Sequence, residues 1–402
     1  MEMKNKKNVP DIRFKGFTEE WKEQELGDCA DIVGGGTPST SNKEYWDGDI
    51  DWYSPAEIGA KIFVDGSQRK ITELGLQESS AKMLPIGTVL FSSRAGIGTT
   101  AILAKKGTTN QGFQSIVPHS KELDSYFIFS RTNELKKYGE TNGAGSTFIE
   151  ISGKQMANMP ILNPEYDEQK AIGNYFQNID KLIVANQAKL DKLKTIKKAC
   201  LEKMFPKNGT NIPEIRFKGF TEEWKVFCVK EVFKVTRGYV LAATETRAVK
   251  NDKYKYPVFS SQTKDNGLMG YYFDYLYSDA ITWTTDGANA GTVNFRGGKF
   301  YCTNVCGVLL SEEGFANKMV AEALNKIAWR HVSKVGNPKL MNNVMSEIAT
   351  LLPKDTEEQS KIANYLLSID CLIAKHQQKI EKLKNIKKAC LDKMFVNTEG
   401  TL

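Results

Sequence analysis

Residues 168–205 read EQKAIGNYFQNIDKLIVANQAKLDKLKTIKKACLEKMF, and residues 358–395 read EQSKIANYLLSIDCLIAKHQQKIEKLKNIKKACLDKMF. The two stretches are identical at 23 of 38 positions, with an offset of 190 residues. Similarity of this length between two parts of one chain indicates an internal duplication. The architecture therefore depends on what this repeated segment forms and on what separates its two copies.

The apolar positions of the repeated segment predict a long helix in each copy. Steps of four and three residues alternate, which is the 3.5-residue period of a coiled-coil seam. At 1.5 Å per residue, each helix could run about 50–57 Å. The predicted helix-pairing positions are Ile172, Phe176, Ile179, Ile183, Asn186, Leu190 and Leu193, and Ile362, Leu366, Ile369, Ile373, His376, Ile380 and Leu383.

Asn186 and His376 interrupt the seam at corresponding positions of the two copies. A polar residue at one seam position usually fixes the register and orientation of paired helices, at some cost in stability. We therefore expect the two helices to pair antiparallel, with Asn186 and His376 near each other. The alternative is that each helix packs only on its own globular domain.

A second, shorter repeat lies before each of two unlike cassettes. PDIRFKGFTEEWK at residues 10–22 returns as PEIRFKGFTEEWK at residues 213–225. The cassettes, residues 23–167 and 226–357, share little beyond scattered Gly, Asn and aromatic positions. Their short apolar runs between Gly, Pro, Ser and Asp clusters predict mixed α/β structure.

These repeats predict an α+β protein with a pseudo-twofold internal repeat, in which two long helices form an antiparallel coiled coil and join two mixed α/β domains. The predicted domains are a first globular domain with its leading segment at 1–167, a first helix at 168–205, a second globular domain at 206–357, and a second helix with the C-terminal tail at 358–402.

Composition narrows the class of protein. The net charge of +7 and the pI of about 8.8 favour acidic partners such as nucleic acid. No apolar run reaches the roughly 18–20 residues that span a bilayer, and the N-terminus lacks the apolar core of a secretory signal, so we expect a cytoplasmic protein without membrane contact. The seven cysteines are too sparse for a disulfide scaffold, and Cys302 and Cys306 lack the partners of a metal site.

Three stretches resemble catalytic motifs, but none is complete. Residues 163–166 (NPEY) differ by one letter from the NPPY motif of adenine methyltransferases. Residues 10–22 contain a PD…EWK pattern like that of metal-dependent nucleases, yet the second copy replaces the Asp with Glu214. Residues 34–39 (GGGTPS) lack the Lys-Ser/Thr pair of a nucleotide-binding loop. We therefore predict neither a catalytic residue nor a metal ligand.

Two similar frames with unlike inserts would hold two surfaces of different specificity at a fixed separation. DNA half-sites one helical turn apart lie about 34 Å from each other, within reach of helices of this length. Two other classes stay open. One is a coiled-coil scaffold with carbohydrate- or peptide-binding modules, whose aromatic stretches would be EYWDGDIDWY (44–53) and YYFDYLY (271–277). The other is a self-contained methyltransferase.

The duplicated helices ending in IKKACLEKMF and IKKACLDKMF, the RFKGFTEEWK repeats, GGTPSTSNKEYW and TNQGF together resemble the specificity (S) subunit of type I restriction–modification enzymes. The resemblance covers essentially the whole chain. It implies that each cassette is a target-recognition domain for one half of a bipartite, asymmetric DNA site, and that the helices set the spacer. It also implies a non-catalytic subunit.

The resemblance further implies partners and cofactors that composition does not show. Two adenine methyltransferase subunits would dock on the chain, and two ATP-driven restriction and translocase subunits would complete the restriction complex. S-adenosylmethionine, ATP and Mg²⁺ would belong to those partners, and this chain would bind no cofactor itself.

Candidate DNA contacts follow from side-chain chemistry, because Arg or Lys pairs with guanine, Asn or Gln with adenine, and Ser or Thr with phosphates. Thr37, Ser39 and Lys43 are candidates for backbone contacts. The other DNA-binding candidates are Ser92, Ser93, Arg94, Asn110 and Gln111 in the first cassette, and Arg237, Tyr239, Ser261, Gln262, Lys264, Asn289, Arg296 and Asn304 in the second.

Overall fold

The computed structural model describes residues 8–94, 96–145, 149–207, 209–261 and 264–396. It divides into two compact units. Unit 1 comprises residues 1–186 and 379–402, and unit 2 comprises residues 187–378. Each unit contains one cassette and one half of each long helix, whereas the sequence predicts the helices as separate domains.

The cassette of unit 1 alternates short strands and short helices. Its elements in chain order are β1 (Lys22–Glu25), α1 (Leu26–Cys29), β2 (Ala30–Gly34), β3 (Trp46–Tyr53), β4 (Phe63–Val64), β5 (Arg69–Ile71), α2 (Glu73–Gln77), β6 (Val89–Phe91), β7 (Thr100–Leu103), β8 (Thr108–Thr109), β9 (Gln114–Pro118), α3 (Ser125–Ser130), α4 (Thr132–Asn142), α5 (Gly153–Ala157) and β10 (Pro160–Asn163), followed by the long helix α6 (Tyr166–Lys203).

The cassette of unit 2 has the same texture. Its elements are β11 (Lys225–Cys228), α7 (Val229–Val232), β12 (Lys234–Arg237), β13 (Tyr256–Phe259), β14 (Leu268–Tyr272), β15 (Tyr277–Thr284), β16 (Val293–Cys302), β17 (Cys306–Leu310), α8 (Lys318–Asn325), α9 (Asn342–Ser346) and β18 (Ala349–Leu352), followed by the long helix α10 (Thr356–Met394). Together these elements confirm the predicted α+β class.

The two cassettes share one sheet order despite their unlike sequences. In unit 1 the strands β2, β9, β6 and β7 are neighbours in that order, and in unit 2 β12, β17, β15 and β16 are. A parallel pair then extends each fold, β3 with β8 in unit 1 and β13 with the end of β16 in unit 2. We call these extensions the side sheets: β5-β3-β8 in unit 1, and β14-β13 with the end of β16 in unit 2.

A two-stranded antiparallel sheet closes each cassette where it leaves the constant frame. In unit 1, β1 pairs with β10, from Lys22 opposite Asn163 to Glu25 opposite Pro160. In unit 2, β11 pairs with β18 from Lys225 opposite Leu352. The first and last residues of each cassette are therefore neighbours, and we call these two-stranded sheets the necks.

The long helices begin and end where the sequence supplies the matching signals. Pro164 precedes α6, Asp167 and Glu168 lie in its first turn, and Lys203 lies in its last. Acidic residues near the N-terminus and basic ones near the C-terminus stabilise the helix dipole. The helix α10 repeats this pattern with Glu357, Glu358 and Lys393.

Within unit 1 the two long helices run antiparallel. The hydroxyl of Tyr175 lies 3.3 Å from the thiol of Cys390, and Nζ of Lys387 lies 2.7 Å from Oδ2 of Asp180. A contact further along α6 therefore involves an earlier residue of α10, as antiparallel pairing requires. The hydroxyl of Tyr126 on α3 donates to the same Asp180 carboxylate at 2.8 Å, which fixes the cassette to the helix pair.

Within unit 2 the helix halves are also antiparallel. Nζ of Lys197 on α6 lies 2.7 Å from Oδ1 of Asp370 on α10, and Tyr365 hydrogen-bonds the thiol of Cys200. These contacts use the residues that the duplication places at the positions of Lys387, Asp180, Tyr175 and Cys390, so each unit contains the same helix pairing.

The seam positions lie on the inner side of these helices. Leu182, Val184 and Leu372, which lie between seam positions, are 43–62% exposed, so apolar character alone does not determine burial here. Of the predicted pairing positions, Ile172, Phe176, Ile179, Asn186, Leu190, Ile362, Leu366, Ile369 and Ile380 are buried, and Ile183, Leu193, Ile373, His376 and Leu383 are half-buried. The predicted proximity of Asn186 and His376 stays a prediction.

The repeated segments at residues 10–22 and 213–225, which we call the RFKGF segments, pack against the long helices in the same way in both units. Trp21 and Trp224 are 2% and 1% exposed, and they contact Phe395 and Phe205 edge-on at ring distances of 6.1 and 6.0 Å. The amide of Ile12 donates to the carbonyl of Lys393 at 2.9 Å. In unit 2 the amide of Ile215 makes the equivalent bond to Lys203, also at 2.9 Å.

Candidate nucleic-acid interface

Four loops meet at one end of the sheet β2-β9-β6-β7 in unit 1. Loop 1 is residues 34–43, loop 2 residues 53–57, loop 3 residues 92–99, of which residue 95 is not described, and loop 4 residues 109–113. The Gly36 amide donates to the Thr109 carbonyl at 2.9 Å, and the Asn110 amide donates to the Tyr53 carbonyl at 3.0 Å. The Ser93 amide donates to the Gly112 carbonyl at 2.9 Å. Loop 4 thus contacts the other three.

Unit 2 builds the same four loops with other residues. Here loop 1 is residues 237–242, loop 2 residues 259–261, loop 3 residues 284–292 and loop 4 residues 302–306. The Tyr239 amide donates to Cys302 at 3.1 Å, and the Thr303 amide donates to Phe259 at 2.9 Å. The Thr285 amide donates to Val305 at 3.1 Å. Each bond has its counterpart in unit 1.

Glycine is required where loop 1 crosses loop 4. A Cβ atom at Gly35 would lie 2.0 Å from the carbonyl oxygen of Asn110, and one at Gly238 would lie 2.1 Å from that of Cys302. A residue with a Cβ atom would clash with the backbone carbonyl at either position. The glycine cluster of residues 34–36 therefore serves loop packing, which agrees with its rejection as a nucleotide-binding loop.

Two tryptophans of β3 support loop 1 of unit 1 through hydrogen bonds to its backbone. The indole of Trp52 donates to the Gly36 carbonyl at 2.8 Å, and that of Trp46 donates to the Ser39 carbonyl at 3.1 Å. Their rings meet edge-on with centroids 5.1 Å apart. Rigid backing of this kind pre-organises the polar side chains of loop 1.

The structure brings most of the unit 1 candidates together. Thr37 hydrogen-bonds the side chain of Gln111 across loops 1 and 4. Ser39 and Lys43 are exposed on loop 1, and Arg94 is half-buried on loop 3, with its guanidinium 4.0 Å from Glu150. Asn110 is also half-buried, and its Oδ1 accepts the Gly112 amide at 2.8 Å.

Ser92 and Ser93 do not lie on that exposed surface. Both side chains are fully buried. The hydroxyl of Ser92 donates to the Gly96 carbonyl at 2.7 Å and accepts the Thr99 amide at 2.9 Å, so this residue shapes loop 3. The predicted DNA contact of both serines stays a prediction, and their side chains are 0% exposed in this conformation.

In unit 2, four candidates are exposed on the loops. Arg237 and Tyr239 lie on loop 1, Asn289 on loop 3 and Asn304 on loop 4, while Ser261 on loop 2 is half-buried. Gln262 and the side chain of Lys264 lie outside what the structure describes. The sequence thus marks loops 1, 3 and 4 in both units, although no alignment of the cassettes shows their equivalence.

Arg296 is buried rather than displayed. It is 9% exposed, stacks 3.8 Å above the Phe259 ring, and donates from Nε to the Thr282 hydroxyl at 3.1 Å. Burial lowers the pKa of Arg296 to about 10, so the guanidinium is still charged at neutral pH. In this conformation it packs on Phe259, the first residue of loop 2, and its predicted DNA contact stays a prediction.

Cys302 and Cys306, which flank loop 4, are neutral thiols. Burial raises the pKa of Cys306 to about 11 and that of Cys302 further. Within the described ranges, no cluster of three or more His, Cys, Asp or Glu side chains could hold a metal ion. Among the same residues, no helix is both long and apolar enough to cross a bilayer.

The NPEY and PD…EWK stretches have structural roles. Asn163 is 5% exposed at the end of β10, and its Oδ1 accepts from Arg131 at 3.4 Å. Pro164 and Glu165 connect β10 to α6. In the other stretch, Asp11 and Glu20 are exposed on the RFKGF segment, whose Trp21 is buried as an anchor.

Comparison with known proteins identifies a family model that covers most of the chain. The model is the type I restriction modification DNA specificity domain, and it matches twice, at residues 18–195 and 221–385. The two matches coincide with the two copies of the internal duplication.

Curated relatives carry the same description. The chain is 36% identical over 167 residues to the type I restriction enzyme MjaIX specificity subunit of Methanocaldococcus jannaschii, a match that spans 41% of this chain and 39% of that protein. It is 25% identical over 389 residues to the EcoprrI specificity subunit of Escherichia coli, a match that spans 93% of this chain and 92% of that one.

A solved structure shares the fold. The crystal structure of a type I restriction-modification S subunit from M. genitalium covers 97% of this chain and 100% of its own, with a TM-score of 0.70. At 14% sequence identity this similarity establishes the fold alone.

Proposed function

Because the chain belongs to the type I restriction modification DNA specificity family, we propose that it reads a bipartite, asymmetric target in double-stranded DNA, one half with each unit. One observation carries the proposal: both units build the same four loops on the same sheet order, yet place different side chains on them. Because the two units share one scaffold but carry different loop side chains, they would bind DNA in the same way with two different sequence specificities.

The chemistry of the loop side chains suits base recognition. Arg94 in unit 1 and Arg237 in unit 2 provide guanidinium groups that pair bidentately with guanine. Asn110, Gln111 and Asn304 provide amides that pair bidentately with adenine. Thr37, Ser39 and Lys43 would contact phosphates and set the position of unit 1 on the duplex.

The long helices would have two further roles. A continuous helix of 38 or 39 residues is about 57 Å long, so a pair of them would fix the number of unread base pairs between the half-sites. We further propose that they carry docking surfaces for two methyltransferase subunits. Restriction and translocase subunits, also two, would then join that complex.

In this assignment the chain recognises DNA and its partners perform the chemistry. S-adenosylmethionine, ATP and Mg²⁺ would be bound by the methyltransferase and restriction subunits, whereas this chain would hold no cofactor. A radiolabelled methyl donor tests this directly. Methyl transfer to DNA by the purified chain alone would contradict the proposal.

Mapping of methylated adenines in cells that express the complete complex tests the reading role. We expect a motif in two parts separated by a fixed number of unspecified bases. The variants Arg94→Ala and Arg237→Ala form a matched pair: each should cost about 1–3 kcal/mol of binding free energy and relax one base position, in different halves of the motif. A uniform loss on all sequences would identify a phosphate contact instead.

A further inference from the structure

One face of the side sheet of unit 2 displays aromatic rings. Tyr256 on β13 pairs with Tyr272 on β14, and Tyr301 on β16 pairs with Val258, two residues along β13 from Tyr256. Alternate residues of a strand share a face, so the three tyrosines lie together, and the rings of Tyr272 and Tyr301 are 5.5 Å apart. We refer to the following six aromatic residues as the tyrosine face: Tyr254, Tyr256, Tyr272, Phe273, Tyr275 and Tyr301.

Cations lie over three of the six rings of this face. The ammonium of Lys299 lies 4.3 Å from the centre of the Tyr275 ring, and that of Lys255 lies 5.5 Å from the centre of Tyr256. Over Tyr254, the guanidinium of Arg247 lies at 5.0 Å and Lys253 at 5.6 Å. All four cationic side chains are exposed.

None of these four cations forms an ion pair with a carboxylate of the described residues, although Asp274 lies between Phe273 and Tyr275 in the chain. Elsewhere in unit 2, several lysines do have such a partner: Lys197 pairs with Asp370, Lys230 with Glu347 and Lys318 with Glu322. Ring faces hold the cations in place without neutralising them. The tyrosine face therefore presents ordered cations that have no ion-pair partner among the described residues. Two carboxylates lie close enough to influence the face, because burial and then the charges of Glu245 and Asp274 raise the pKa of Tyr272.

This arrangement suits a polyanion better than a sugar. A neutral sugar stacks on bare ring faces, and here cations occupy the faces of Tyr254, Tyr256 and Tyr275. Phosphate oxygens accept hydrogen bonds from Lys, Arg and Tyr side chains, which are the groups that the tyrosine face offers. The aromatic stretch that also fitted a carbohydrate-binding module thus has the charge pattern of a phosphate-binding surface.

The tyrosine face continues into the proposed reading loops. Strand β13 leads from Tyr256 to loop 2, and β16 leads from Lys299 to loop 4. At about 3.3 Å per residue, Tyr256 lies roughly 10 Å from Phe259, where loop 2 begins. Adjacent phosphates of one DNA strand lie within that reach.

Unit 1 has a smaller counterpart on its own side sheet. The guanidinium of Arg69 on β5 lies 3.6 Å from the centre of the Trp46 ring, and Arg69 is exposed. Two unlike cassettes therefore both place cations on aromatic rings of the side sheet beside loop 2.

We propose that the tyrosine face binds the sugar–phosphate backbone of the duplex whose bases the loops of unit 2 read. This inference rests on the proposed function. It assigns the side sheet a sequence-independent share of the affinity, and it adds Lys255, Lys299, Lys253 and Arg247 to the DNA-contacting residues.

The test compares Lys255→Ala/Lys299→Ala with the wild-type full chain in complex with its methyltransferase subunits. Affinity is measured for a duplex carrying the mapped motif and for an unrelated duplex, at several salt concentrations. Each lost phosphate contact lowers the slope of log K against log salt by about 0.9. We expect a slope smaller by about 1.8, with the same fold-loss of affinity on both duplexes.

Lys234→Ala is the matched control, because Lys234 is exposed at the end of β12 away from loop 1, and we expect no change in slope. If the wild-type complex binds the motif but the double variant keeps its salt slope, the tyrosine face is not a DNA surface and the proposed function stands. A loss confined to the motif duplex would also overturn the inference. If the wild-type complex shows no salt-dependent binding, the proposed function itself fails.

A glycan array probed with the same variants separates the carbohydrate alternative. Binding of the wild-type chain to a neutral glycan that Tyr275→Ala abolishes would overturn the phosphate assignment. Absence of glycan binding together with the reduced salt slope would support it.

Discussion

At the scale of single residues, one ion pair fixes each RFKGF segment to a long helix. Nε and Nη2 of Arg13 donate to the two carboxylate oxygens of Glu168 at 2.6 and 2.7 Å, and Glu168 is 1% exposed. Arg216 and Glu358 repeat this two-bond geometry at 2.7 and 2.8 Å. Such fork-to-fork pairs are short and orientation-specific because both charges are hydrogen-bonded.

Arg13→Gln should lower the free energy of unfolding by about 3 kcal/mol, since it leaves the buried carboxylate of Glu168 without its counter-charge. Urea denaturation of the full chain measures this. Lys15→Ala is the control: Lys15 is exposed on the same segment, and its replacement should change stability by less than about 0.5 kcal/mol. Equal stability of the two variants would show that the pair contributes nothing net.

His119 should give the protein a measurable pH dependence. Its ring nitrogens lie 3.1 Å from Asp31 and from Glu122, and the hydrogen bond to Asp31, followed by that to Glu122, raises the pKa of His119 above 6.5. The stabilisation is complete below about pH 6.5 and is lost as the pH rises through the raised folded-state value. The side chain is 35% exposed, so solvent screening limits the effect to about 0.2–1 kcal/mol.

Thermal denaturation from pH 5.5 to 9 tests this against His119→Gln. We expect wild type to exceed the variant at the acidic end and to converge on it at the alkaline end. A constant difference across the range would mean that the ring contributes by packing and not by its charge.

Among the elements, the polar residues Asn186 and His376 in the helix seam should lower the stability of the long helices. Asn186 is 5% exposed and donates to the Leu182 carbonyl at 2.6 Å, while His376 is half-buried. Replacing both with Leu should raise the melting temperature, because apolar seam residues bury more favourably than polar ones. If the two polar residues set the register, the complex assembled with the stabilised variant and its methyltransferase subunits should methylate sites with a changed or heterogeneous spacer.

Asn186→Leu and His376→Leu singly are the controls for that double variant. Each single change leaves one polar residue at the seam, so we expect less stabilisation than the double change gives. An unchanged or lower melting temperature in the double variant would show that the two residues are not a register device.

The sequence predicts the helices far better than the cassettes, for a physical reason. A 3.5-residue period repeats over 38 positions, and each period adds independent support for the same helix face. The cassettes consist of strands of two to ten residues joined by tight loops, which carry no long period. Their common sheet order becomes visible only through backbone hydrogen bonds, such as Gly36 to Thr109 and Tyr239 to Cys302.

The candidate site was predictable to the same limited degree. Polar tips such as Thr37, Gln111 and Asn304 are recognisable because Ser, Thr, Asn and Gln concentrate in turns. Burial is not local: Ser92, Ser93 and Arg296 have the same polar chemistry but lie inside the fold. The sequence does not indicate that Lys299 lies over the Tyr275 ring, because the fold brings these two residues together.

In the molecule as a whole, the necks explain how one frame carries two unlike cassettes. Paired residues of an antiparallel sheet have Cα atoms about 4.5–5.5 Å apart. Lys22 lies opposite Asn163, and Lys225 lies opposite Leu352, so each cassette leaves and rejoins the frame at nearly the same point. A cassette can therefore change without moving the residues that flank it.

Exchange of residues 26–159 for the corresponding cassette of a relative should change one half of the methylated motif and leave the other half and the spacer as they are. The donor must keep apolar residues at the positions of Phe127 and Met156, because these pack in one core with Ile172 and Phe176 of the helix frame. Exchange of residues 229–348 is the matched experiment for the other half. Sequencing of methylated adenines decides the outcome, and a folded chimera that alters both halves would show that the two units do not read DNA independently.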